Sequence, residues 1–136
     1  MDLRQLTPDL SVASQLEPGD MPALAAEGVR LVIANRPDSE VEPALQRLAM
    51  EAAARAAGLD FRYLPFEPGR LTPELVGDFG AALEGAGKTV AYCRSGTRSA
   101  TLWALSQAGQ RPGAEILASA AAVGYDLRRF APLLDA

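Results

Sequence analysis

"VAYCRSGTRSATLWAL", residues 90–105, decides how the chain is read. A short apolar run, "KTVAYC" (88–93), gives way to a loop with two arginines, a glycine and three hydroxyls, and then to a helical pattern starting near Ser99. Strand, polar loop, helix is the local unit of an α/β fold, and "TVAY" is short and apolar, as a central strand buried on both faces should be. Ligands of such folds bind beyond the carboxyl ends of the strands. Cys93, the only cysteine, stands at such an end.

The punctuation around this stretch is regular. "LSVAS" (10–14) reads as a first strand, and a helix runs from Asp20 as N-cap, with Pro22 in its first turn, to a stop at Gly28. "VRLVIANRP" (29–37) reads as a buried strand ending in a polar loop. Ser39 and Glu42 have capping-box spacing ahead of an alanine-rich helix that runs to Gly58. "DFRYLPF" (60–66) alternates as a strand; Thr72 caps and Pro73 opens a helix ending near Gly87. After the strand at 88–93, the helix from Ser99 stops at Gly109, and two more helices are expected at about 113–122 and 126–134. Alternation of this kind predicts a mainly parallel central sheet flanked by helices, in one domain over residues 1–136. The loops "NRPDSE" and "FEPGR" then end beside Cys93.

Composition narrows the chemistry. There are 136 residues, 49% hydrophobic and 22% charged, which suits a core of ordinary size. A net charge of −4 gives no basic footprint, so nucleic acid is not an expected partner, and any anion site must be built locally from a few arginines. No apolar run approaches the roughly 20 residues of a membrane span, and "MDLRQLTPDL" lacks the pattern of a secretory signal. One cysteine forms no internal disulfide, and the expectation is a cytoplasmic protein without membrane association. With one cysteine and no histidine, neither a zinc site nor a cysteine–histidine or serine–histidine pair is available within the chain. No metal or organic cofactor is expected.

Around Cys93 the loop turns successive backbone N–H groups inward, and the following helix adds positive potential at its N-terminus. Gly96 permits the tight backbone. A cysteine placed there is favoured as thiolate by the helix and by nearby arginines, which replaces activation by an imidazole. Arg98 closes the loop with a planar fork suited to an oxyanion. Ser99 is placed to donate to the sulfur. The catalytic set is therefore Cys93, Arg98 and Ser99, with Arg94, Ser95, Gly96, Thr97 and Arg36 as anion- or substrate-binding residues.

"YCRSGTRSA" resembles the active-site loop of cysteine-dependent phosphatases and of rhodanese-type sulfurtransferases. "LSVASQLEPGDMPALAAEGVRLVIANRPDSE", "PGRLTPELVGDFGAAL" and "GYDLRRFAPLL" resemble the bacterial beta-lactamase-hydrolase-like, phosphatase-like domain family. The resemblance implies a dual-specificity-phosphatase-like α/β fold, with Cys93 as nucleophile and Arg98 as the anion-binding arginine. Two departures matter. Phosphatases of that class place five residues between cysteine and arginine and usually a histidine before the cysteine; here four residues intervene and Tyr92 precedes Cys93. The general acid of that class is an aspartate on a neighbouring loop. "FEPGR" offers only Glu67, with Asp38 of "NRPDSE" as the rival.

Three readings follow. The first is hydrolysis of a phosphomonoester through a Cys93 phosphocysteine. The second is sulfur transfer from a sulfur-donor compound through a Cys93 persulfide, which the shorter loop suits at least as well. The third is a non-catalytic anion-binding or redox-sensing module. Trp103, Phe79 and Leu83 fall on helical faces that suit the core, and Arg128 and Arg129 a solvated face.

Overall fold

The computed structural model describes residues 1–135. Five strands and six helices follow one another as β1 (Leu3–Thr7), β2 (Leu10–Ala13), α1 (Met21–Ala26), β3 (Leu31–Ala34), α2 (Arg47–Ala56), β4 (Asp60–Tyr63), α3 (Pro73–Leu83), β5 (Thr89–Tyr92), α4 (Thr97–Ser106), α5 (Gly113–Ala122) and α6 (Ala131–Leu134). The strands form one sheet in the order β1-β2-β5-β3-β4. Only β1 runs antiparallel, against β2; the β2–β5, β5–β3 and β3–β4 pairs are parallel. No helix among the described residues is long and apolar enough to cross a membrane.

Alternation along the strands divides the core in two. Leu10, Val12, Leu31, Ile33 and Ala91 face α3, α4 and α5, packing with Phe79, Trp103 and Ile116. Ala13, Val32, Ala34, Val90 and Tyr92 face α1 and α2, packing with Met21, Leu24, Met50 and Ala54. β3 and β5 are buried throughout, which is why they read as continuous apolar runs. Residues 99–104 of α4 are all buried, so the helix that follows Cys93 is itself a core element.

Several helix ends differ from the sequence reading. The capping box expected at Ser39 and Glu42 does not open α2: Pro43 begins a separate 3₁₀ turn, and the helix starts only at Arg47. The final helix is a 3₁₀ turn at Arg128–Phe130 followed by the short α6. The strand expected at 29–37 is confined to Leu31–Ala34, and α4 begins at Thr97, two residues before Ser99. Thr72 and Pro73 do open α3 as expected, with Thr72 Oγ1 accepting the Leu75 N–H at 3.2 Å. β1 was not foreseen; its polar residues give it little apolar signal.

Phe79 is fully buried under the sheet, so Phe79→Ala should lower the free energy of unfolding by about 3–5 kcal/mol. Leu48, 72% exposed, should tolerate Ala within about 0.5 kcal/mol. Urea denaturation of the two variants side by side checks both.

Candidate active site

The register of the sheet builds the site. Ala13 pairs with Tyr92, Tyr92 with Ala34, and Ala34 with Tyr63. The last residues of all four parallel strands therefore stand in one row, and their following loops leave the sheet at one level. Those loops are then tied together. The Cys93 N–H donates to the Ala13 carbonyl at 3.3 Å, and the Gln15 N–H to the Arg94 carbonyl at 3.3 Å. The Asn35 N–H donates to the Tyr92 carbonyl at 2.8 Å. Asn35 is fully buried and also reaches sideways, its Nδ2 donating to the Leu64 carbonyl at 2.8 Å.

Cys93 lies at the bottom of the loop, 1% exposed. Gly96 is the N-cap of α4 with φ +90°, and its N–H donates to Cys93 Sγ at 3.1 Å. A Cβ at Gly96 would collide with Tyr125 Oη, so both the dihedral and the space require glycine. The N–H groups of Arg94 and Ser95 donate to no protein acceptor among the described residues. Those of Thr97 and Arg98 fall in the first turn of α4, where no intrahelical carbonyl is available. Unpaired donors on a loop that joins a cysteine to a helix N-terminus are an arrangement that can receive an anion.

Arg98 supplies the fixed charge. Its Nη1 donates to Glu40 Oε2 at 2.8 Å and to the Phe66 carbonyl at 2.7 Å, and its Nη2 to Glu40 Oε1 at 2.7 Å. Glu40 thus grips the end of the guanidinium. The Nε–H and the second Nη2–H make no hydrogen bond to a further protein oxygen among the described residues, and the guanidinium lies beside the Cys93 sulfur, which leaves this edge for an anion there. Glu40 also accepts from Arg36 Nε at 3.3 Å. The hydrogen bond from Arg98 holds the Glu40 carboxyl below the ordinary carboxylate range against the opposing effect of burial, with Arg36 adding to it. Reciprocally, Glu40 first and then the neighbouring Cys93 sulfur hold the Arg98 guanidinium charged.

The sequence-expected residues separate into groups. Arg36, Arg94, Ser95 and Arg98 line one open pocket of about 570 Å³ with Glu40 and Pro68. Ser95 and Thr97 share a hydrogen bond between their hydroxyls at 3.1 Å. Ser99 does not make the expected contact with the sulfur; its buried hydroxyl donates to Asn35 Oδ1 at 2.8 Å and braces the loop instead. The Asp38 carboxylate accepts the Arg47 N–H at 2.7 Å, a favourable place for a negative charge at the start of α2. Glu67 is exposed, 3.6 Å from Arg70. Its neighbours nevertheless reach the site, Phe66 through Arg98 and Pro68 through the pocket wall. Tyr92 is buried and burial pushes its phenol up, so it stays protonated.

Sequence reasoning missed Glu40 and Tyr125. The signal for Glu40 was its place four residues after Arg36 on the same loop; nothing local marks Tyr125.

Known proteins share the sequence pattern and the fold. Residues 2–110 match the family model of the beta-lactamase hydrolase-like protein, phosphatase-like domain. The beta-lactamase hydrolase-like protein of Agrobacterium fabrum is 33% identical over 100 residues, 73% of this chain but 23% of that protein, so the match spans less than a quarter of this relative. A candidate phosphatase of Neisseria meningitidis of known structure is 30% identical, covers 99% of this chain and 97% of its own, and superposes with a TM-score of 0.85. PTPMT1, at 16% identity, shares the fold over 98% of this chain and 91% of its own, with a TM-score of 0.76. The fold is the dual-specificity-phosphatase-like α/β arrangement.

Because Glu40 is ionised more readily in the folded chain than in the unfolded one, its stabilisation is complete above the ordinary carboxylate value. It is lost as pH falls from there through the depressed folded value. The stability difference between the native chain and Glu40→Gln should therefore be larger at pH 7 than in acid, as read by thermal unfolding across pH.

Proposed function

We propose that this chain, which belongs to the beta-lactamase hydrolase-like, phosphatase-like domain family, is a cysteine-dependent phosphatase that hydrolyses small phosphomonoesters at Cys93. The observation that carries the reading is Arg98, gripped at its end by Glu40 and open along its edge beside a cysteine that already accepts an N–H. The Cys93 thiolate attacks phosphorus, forming an S–P bond as the P–O bond to the leaving alcohol breaks. The loop N–H groups and the open edge of Arg98 receive the phosphoryl oxygens, whose charge grows in the transition state. Glu67, on the loop between Phe66 and Pro68, protonates the departing oxygen. Water then attacks the phosphocysteine and gives a proton back to the Glu67 carboxylate, the P–S bond breaks, and phosphate leaves as the thiolate is restored.

Sulfur transfer is the second reading, and two observations favour it. Only four residues separate Cys93 from Arg98, and the one carboxylate lining the pocket, Glu40, is held ionised by two arginines. Here Cys93 attacks the terminal sulfur of a donor such as thiosulfate. The donor S–S bond breaks, sulfite leaves with the electron pair, and a persulfide remains on Cys93. A thiolate acceptor then takes that sulfur and returns the cysteine. This route needs no general acid.

The experiment is rapid mixing with an activated aryl phosphate in parallel with mass spectrometry after incubation with thiosulfate. A burst of one equivalent of aryl alcohol per Cys93 is the expected result. A persulfide on Cys93 with no aryl-phosphate turnover would replace the first reading by the second. Cys93→Ser should abolish either activity.

General acid help is typically worth about 10²–10⁴ in rate. Glu67→Gln should accordingly slow turnover of alkyl phosphates by about 10² or more while leaving activated aryl phosphates within a few-fold, as read by kcat/KM for the two classes.

A further inference from the structure

The peptide group joining Ser95 to Gly96 is held on both sides. Its carbonyl accepts the Tyr125 hydroxyl at 3.1 Å, and its N–H donates to Cys93 Sγ at 3.1 Å. A trans peptide is planar, with C=O and N–H pointing in opposite directions, so a partner that fixes one aims the other. Gly96 cannot choose the orientation itself. Lacking a Cβ, it allows rotation about the adjoining backbone bonds, and a turned peptide would present the carbonyl oxygen to the sulfur in place of the N–H. We propose that Tyr125 is the positioning residue of the cradle, aiming the Gly96 N–H at Cys93 by donating to the Ser95 carbonyl.

Tyr125 is itself firmly placed. Its N–H donates to the Ala120 carbonyl at 2.9 Å, at the end of α5. The Arg4 guanidinium of β1 lies 5.5 Å from its ring centroid and donates through Nη1 to the Val123 carbonyl at 2.8 Å. Its ring packs where a Gly96 side chain would stand. The chain segment after α5, beyond the residues matched by the family model, thus reaches back under the cradle. The hydrogen bond also polarises the peptide, which strengthens donation from its N–H to the sulfur. The significance for catalysis rests on Cys93 being the nucleophile; the aiming of the peptide does not.

Tyr125→Phe removes only the hydroxyl and keeps the ring under Arg4 and against Gly96. Amide NMR of the substrate-free protein reads the consequence, with Val90 and Ala91 of β5 as internal references. Loss of one neutral hydrogen bond should accelerate Gly96 amide exchange about fivefold and move its proton resonance, while Val90 and Ala91 stay in place. Turnover at saturating substrate should fall by a similar factor with KM unchanged. An unchanged Gly96 amide would overturn the proposal, and so would equal acceleration at Val90 and Ala91, which would mean general loosening. A native protein with no turnover, but with the Gly96 amide responding as described, would support the positioning role while removing the enzymatic reading of Cys93.

Discussion

Ala13, Tyr92, Ala34 and Tyr63 stand side by side at the ends of four parallel strands, and the site depends on that row. Because the register brings the strand ends level, each following loop emerges beside the next, within reach of direct hydrogen bonds. A slip by one residue would turn the apolar side chains of a strand to the other face, so burial on both faces of the sheet fixes the row strongly. β5 occupies the middle, between β2 and β3, so its loop is enclosed by neighbours on both sides. The geometry of the site is thus a consequence of how the core packs.

Onto this row the chain adds charge in a fixed order. Asn35 joins the loop after β3 to the loop after β4 and to the first turn of α4, through Leu64 and Ser99. Glu40 then sets the guanidinium of Arg98, and the Phe66 carbonyl holds it from the β4 side. A free arginine would give up side-chain entropy on meeting an anion. One already gripped at its end gives up less, and its charge is in place before an anion arrives. Glu40 also offsets cationic charge within the pocket, where Arg36, Arg94 and Arg98 stand together.

Much of this was legible in the sequence because it is local. The strand–loop–helix unit around Cys93, the positive φ at Gly96 and the Thr72–Pro73 helix start all depend on neighbours within a few residues. The parallel sheet followed from alternation along the chain. What escaped was set by distant partners. β1 owes its existence to pairing with β2 and carries little apolar pattern of its own. Ser99 was expected at the sulfur, but a buried Asn35 offers it an acceptor that the sequence does not reveal. Asp38 was the rival candidate for general acid, and its carboxylate instead accepts the Arg47 N–H at the late start of α2. Glu40 lies 58 residues from the arginine that it holds, and Tyr125 lies 30 from the carbonyl that it meets.

On the proposed reading, the loop after β5 is a cradle preformed for an oxyanion, with the Glu40-held Arg98 as its fixed cation. A crystal structure with tungstate or sulfate bound decides this. The oxyanion is expected above Cys93 Sγ, ringed by the N–H groups of residues 94–98 and by Nε and Nη2 of Arg98, with Glu40 still on the end of the guanidinium. An anion bound elsewhere, or one that reaches Arg98 only by displacing Glu40, would contradict it.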